Sequence, residues 1–184
     1  MARVLVTGMS GAGKSTLLIE LSRRGYDTID TDYDSWTLPD GDWDEPRMAA
    51  LLADRPVVVV SGTVANQGHF YDRFDHVVLL SAPLDVLLDR VTARSTNPYG
   101  KTAEHRADIA HYVREVEPLL RRGATLELDG QRPVGELADI IEQLIGPAPR
   151  PPGGGRASRP ARAAPTPPRP GSLPPTRRRS SGPA

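Results

Sequence analysis

Cysteine is absent from this 184-residue chain, and lysine nearly so: Lys14 and Lys101 stand against 21 arginines. Without cysteine there is no disulfide scaffold and no thiolate metal site. The scarcity of lysine says something narrower. A chain that uses arginine wherever a cation will serve keeps lysine for places that need a compact point charge and not a planar fork. Long apolar runs are missing too, and nothing approaches the roughly 18 residues of a membrane-spanning helix. Met1-Ala2-Arg3 passes into a strand-like segment too short for the apolar stretch of a signal peptide, so a cytoplasmic location is expected. His69, His76, His105 and His111 have no metal-ligand spacing, and no internal repeat is detectable.

Acidic residues are missing from one end. All 23 precede Pro147, whereas residues 147–184 hold 8 arginines and 12 of the 19 prolines. With 15 of the 23 basic residues, the first 146 residues carry −8 and the remainder +8, so a neutral total hides two opposed pieces. Residues 1–146 can bury roughly two-thirds of their unfolded surface, enough for one core. Residues 147–184 are Pro- and Gly-rich and nearly without large apolar side chains, and are expected to form a disordered tail. Its arginines leave two readings open, a solvated extension or an arm that holds RNA phosphates.

Within the body, short apolar runs alternate with helical periodicity. Strands are expected at Val4–Thr7, Tyr26–Asp30, Val57–Val60, His76–Ser81 and Thr125–Leu128. Helices are expected at Lys14–Arg24, Glu45–Asp54, Pro83 to about Arg94, Ala103–Arg122 and Val134–Ile145. Asp32–Asp44 reads as an acidic connection dotted with aromatics, and Gly62–Asp75 as mixed loop and short helix. Asn97-Pro98-Tyr99-Gly100 is turn chemistry within Ser95–Thr102. Strands alternating with helices predict an α/β fold with a parallel sheet covered on both faces.

The chemistry enters at Gly8-Met9-Ser10-Gly11-Ala12-Gly13-Lys14-Ser15, which fills every fixed position of G-x-x-x-x-G-K-[ST] between a strand and a helix. The glycines let successive backbone N–H groups point at one phosphate, and the helix beginning at Lys14 aims its positive end there. On this pattern Gly8, Ser10, Gly11, Ala12, Gly13 and Thr16 cradle the phosphates of ATP. Lys14 reaches the β- and γ-phosphates, and the Ser15 hydroxyl ligates Mg²⁺.

Further along, four segments carry chemistry of their own or bear on a family likeness: Thr28-Ile29-Asp30-Thr31-Asp32, Leu87 to Arg94, Leu128-Asp129-Gly130-Gln131-Arg132-Pro133, and Val60-Ser61-Gly62-Thr63. Together with the phosphate loop the first three resemble the nucleoside and nucleotide kinase-like P-loop enzymes, which include adenylate, shikimate and gluconate kinases. The resemblance spans nearly all of residues 3–145. It implies a three-layer fold whose parallel sheet has five strands in the order 2-3-1-4-5, and transfer of the γ-phosphoryl group of ATP–Mg to a small molecule. It also implies that Asp30 helps hold the Mg²⁺ shell and Asp32 meets the acceptor hydroxyl. Arg90 and Arg94 would reach over the phosphates, and the backbone at Gln131 and Arg132 would border adenine. Two departures turn the expectation away from shikimate and AMP as acceptors. Ser61-Gly62-Thr63 stands where shikimate kinases have a glycine triplet, and Asp108 where adenylate kinases have an arginine.

Each candidate has a plainer alternative. Asp30 and Asp32 could form an acidic turn or cap a helix. Arg90, one helical turn before Arg94, could pair with Asp85 or Asp89. Arg94 and Lys101 flank a turn that could close on the γ-phosphate as catalytic cations, with Arg106 a third. Ser61-Gly62-Thr63 could line the acceptor site or simply end a strand, and Tyr33, Trp36 and Trp43 could cover an acceptor or pack a small lobe. Seven acids against Arg47 and Arg55 between residues 32 and 55 favour a neutral or cationic hydroxyl acceptor. The competing readings are a nucleoside monophosphate kinase that grips its acceptor with Arg47, and an ATP-binding regulatory protein with no acceptor.

Overall fold

The computed structural model describes residues 2–95 and 99–147. The tail expected at 147–184 lies, apart from Pro147, outside the described residues, as do Asn97 and Pro98 of the turn. Five strands form one parallel sheet: β1 (Arg3–Thr7), β2 (Thr28–Asp30), β3 (Val58–Ser61), β4 (His76–Ser81) and β5 (Leu126–Asp129). Their order is β2-β3-β1-β4-β5, as the resemblance implies.

Val4 and Val6 point into one core and Leu5 into the other, because successive side chains of a strand leave on opposite faces. The first core is built with α1 (Lys14–Arg23) and the last helix, α6 (Val134–Ile145). Leu17, Leu21, Ile141 and Ile145 are among its fully enclosed side chains. The second lies under α2 (Glu45–Asp54) and a 3₁₀ segment, Ala65–Arg73, and contains Met48, Phe70 and Trp43. A sheet buried on both faces accounts for the unbroken Val57-Val58-Val59-Val60, which has no polar alternation to expose.

Strand ends differ from expectation by one or two residues, and β2 is only three residues long. One larger difference occurs after α3 (Leu84–Ala93). The single helix expected over Ala103–Arg122 is two, α4 (Ala103–Glu115) and α5 (Glu117–Gly123), joined at Val116. Pro118 causes the break. It has no N–H for the carbonyl four residues back, and its ring collides with that carbonyl, whereas at the start of a helix neither matters.

Candidate active site

The P-loop joins β1 to α1 over the carboxyl ends of the strands. Gly8 has φ 149°, and a Cβ there would come within 2.2 Å of the Leu80 carbonyl oxygen, so β4 forbids any side chain at this position. Gly13, at φ 105°, is left-handed at the N-cap of α1, and no side chain caps that helix. The first-turn N–H groups are therefore left for an anion. Two further contacts brace the loop. Thr63 Oγ1 donates to the Gly8 carbonyl at 2.8 Å, and Gly8 N donates back to it at 3.3 Å. One guanidinium nitrogen of Arg90 reaches the carbonyls of Gly11 and Gly130, at 3.3 and 2.9 Å.

Lys14 Nζ rests on the carbonyls of Gly8 (2.6 Å) and Met9 (3.4 Å). Burial lowers its pKa below the ordinary lysine value, while Asp32 and Asp30 oppose that shift. Ser15 Oγ donates to Asp30 Oδ2 at 2.6 Å, which joins the two residues expected at the metal. Burial and then the Asp32 charge push the Asp30 carboxyl up, against the hydrogen bond from Ser15. Asp32 follows two residues on and donates its N–H to Asp30 Oδ1 at 3.2 Å.

A cleft of about 650 Å³ runs along these groups and brings Lys14, Ser15, Asp32, Tyr33, Arg90 and Arg94 to one wall-to-wall space. Ser10, Gly11, Gly13, Thr16 and Arg132 also border it, with Val134 and Leu137 at its apolar end. Most of the residues singled out by sequence thus converge. Arg94 donates to the Tyr99 carbonyl at 3.0 Å, and its buried Nε has no hydrogen-bond partner. Burial lowers its pKa, with Tyr33 and Asp32 opposing. Hard oxygen donors from Ser15 and Asp30 beside a phosphate cradle fit Mg²⁺, which takes one or two protein oxygens and completes its shell with phosphate and water.

Two expected site residues sit elsewhere. Lys101 Nζ is bonded to the carbonyls of Thr92 and Arg94, closing the C-terminal end of α3 like a cap, and is not among the cleft residues. Gln131 turns its side chain to Asp129 and borders a separate depression at the β4–β5 edge. Arg106 donates to the Lys101 carbonyl.

Sequence reasoning left Ser61-Gly62-Thr63 open between two roles; β3 ends at Ser61, as the strand-end reading has it, and the two residues beyond it add contacts of their own. Thr63 braces the phosphate loop. Gly62 makes room for an indole, since a Cβ there would lie 2.1 Å from Thr31 Oγ1 and 3.0 Å from the Trp43 ring. Trp43 Nε1 donates to Thr31 Oγ1 (3.0 Å), and Asn66 ties both the N–H and the carbonyl of Trp43. Among the three aromatics, Tyr33 borders the cleft while Trp36 and Trp43 pack the second core. The signal for this pairing is thin: an Asn 23 residues away in a segment without periodicity.

Sheet order, phosphate loop and cleft together define a P-loop kinase-type fold. The chain belongs to the AAA domain family, whose model matches residues 4–111. Solved structures agree on the architecture. A shikimate kinase from Acinetobacter baumannii in complex with shikimate is 23% identical, with 79% of this chain and 93% of that chain covered and a TM-score of 0.60. A deoxyadenosine kinase from M. mycoides with bound dATP is 14% identical (78% and 98% covered, TM-score 0.55). A gluconokinase from Sinorhizobium meliloti is 20% identical (78% and 93% covered, TM-score 0.52). At these identities the likeness is one of fold. No curated protein matches the sequence.

Proposed function

We propose that this protein is an ATP-dependent phosphotransferase that moves the γ-phosphoryl group of ATP–Mg to a hydroxyl of a small molecule. The observation that carries the reading is the convergence of Lys14, the Ser15–Asp30 pair, Asp32 and Arg94 on one cleft above the phosphate loop. A nucleotide binder without an acceptor has no need of a second carboxylate facing the lysine.

ATP–Mg would supply the transferable group; Ser15 and Asp30 would hold the metal, and the N–H groups from Gly8 to Thr16 the phosphates. Lys14 is the point charge for the oxygens between donor and acceptor. Its seat on the Gly8 and Met9 carbonyls is a resting place that costs one rotamer change to leave. Arg94, another residue of the cleft, adds a second positive group. Asp32 accepts the hydrogen bond of the attacking hydroxyl and fixes its direction. Catalysis in this scheme is positioning and charge neutralisation, which is most of what phosphoryl transfer asks of a protein. Arg132, Val134 and Leu137 border the base, and Gln131 enters only through its backbone.

The test is ADP release from ATP–Mg across a set of hydroxyl compounds, for the native chain and for Asp32→Asn. The reading requires that Asp32→Asn lose transfer and keep ATP affinity. Equal turnover in the two proteins would remove Asp32 from the reaction, and absence of acceptor-stimulated ADP release across the whole set would leave an ATP-binding protein of another kind.

A further inference from the structure

We propose that the acceptor carries no phosphate or carboxylate group, and that Arg47, the lobe's candidate anion clamp, is instead the latch of the loop that receives a neutral or cationic hydroxyl compound. This rests on the phosphotransferase reading above and names its acceptor class.

Arg47 is already engaged. One of its guanidinium nitrogens donates to the carbonyls of Asp34 (3.0 Å) and Ser35 (2.8 Å), and its plane lies 3.9 Å from the centroid of the Trp36 ring. Those two carbonyls belong to an unusual piece of backbone. Asp34 and Ser35 have φ of 60° and 56°, consecutive left-handed residues that both carry a Cβ. Single residues adopt this conformation sparingly, and two in succession persist only where surrounding contacts hold them. The double turn swings the chain from Asp32 and Tyr33, which face the cleft, to Trp36, buried in the second core. Arg47 fastens both its carbonyls and the ring that follows.

The other cations of this side are engaged as well. Arg55 pairs with Asp27, Arg73 lies over the Phe70 ring, and Arg106 bonds the Lys101 carbonyl. An anionic group on the acceptor would enter beside Asp30 and Asp32, in a cleft whose cations Lys14, Arg90, Arg94 and Arg132 are taken up, in the reading above, by the phosphate loop, the nucleotide and the phosphoryl group in transit. A monophosphate ordinarily needs several converging arginines. Releasing Arg47 to supply one would free the turn that positions Asp32 and Tyr33.

Calorimetric titration in the presence of Mg²⁺ and a non-hydrolysable ATP analogue tests this with matched pairs: nucleosides against their 5′-monophosphates, alditols against aldonates, amino alcohols against hydroxy acids. The expected result is that the uncharged or cationic partner of the pair binding best does so at least tenfold more tightly than its anionic counterpart. Arg47→Ala should weaken that compound about tenfold and raise its KM while ATP affinity holds. Asp34→Gly and Ser35→Gly together with Arg47→Ala should recover part of the loss, because glycine adopts the turn without a latch. That triple variant also keeps the test usable if Arg47→Ala alone folds poorly. Tighter binding of the anionic partners, abolished by Arg47→Ala, would overturn the proposal. The expected binding order without any ADP release would support the acceptor class and count against phosphotransfer alone.

Discussion

The two halves of the cleft are built by opposite methods. The nucleotide half is backbone: glycines at 8, 11 and 13 with positive φ, a helix start with no side-chain cap, and carbonyls that hold Lys14 in reserve. The side that the proposal gives to the acceptor is backed by the second core, where side chains reach over long sequence distances. Arg47 latches a turn, Trp43 hangs on Thr31 and Asn66, and Gly62 is hollowed out to admit the indole. A backbone cradle recognises what all its ligands share, a phosphate chain. A lobe fastened by side chains can be refitted one residue at a time, which suits the part that selects the acceptor.

Breaking the nucleotide half should have the largest effect. Lys14→Ala is expected to cut ATP-dependent transfer by about 10²–10³-fold, roughly 3–4 kcal/mol, with the fold intact by circular dichroism. Near-native turnover in that folded variant would end the kinase assignment. In the acceptor half, Gly62→Ala drives a methyl group into Thr31 and Trp43, an overpacking expected to cost about 1–3 kcal/mol and lower Tm accordingly. An unchanged Tm would show that the indole has room to yield.

The third contrast sharpens the assignment of the two wall cations. Arg94→Ala should lower kcat far more than it weakens ATP binding, since the proposal sets its guanidinium against a group present only during transfer. Lys101→Ala should change kcat little, because Lys101 closes the end of α3. Equal losses of kcat would return Lys101 to the catalytic set. The smallest effect is expected from removing residues 148–184. The core closes with α6, and Tyr26 Oη already donates to the Gly146 carbonyl at 2.9 Å. A drop in Tm of the truncated chain beyond a degree or two would show that these residues contribute to the body.

What was legible in sequence follows the same division. The phosphate loop announces itself because all its determinants lie within eight consecutive residues and each demands a particular backbone. Sheet order was accessible through resemblance, and the strands through runs such as Val57-Val58-Val59-Val60. The latch was not, because Arg47 and its carbonyl partners lie 12 and 13 residues apart and no local pattern marks a left-handed pair at Asp34 and Ser35. Lys101 lies apart from the cleft residues for a related reason. A lone lysine beside a turn near the phosphates has a catalytic spacing, yet the nearest unsatisfied groups were the last carbonyls of its own neighbouring helix. The split of α4 from α5 could have been read from Pro118, but the apolar periodicity on either side ran across it.

Both tryptophans of the chain belong to the second core, one under the latch and one against Gly62, whereas the first core contains neither. The protein thus carries an optical reporter confined to one side of its sheet. Emission should respond when an acceptor seats or the double turn rearranges, and stay nearly silent to events on the α1–α6 side. The two ligands that the proposal brings together in the cleft could then be followed separately, one by its own absorbance and the other by the light of residues 36 and 43.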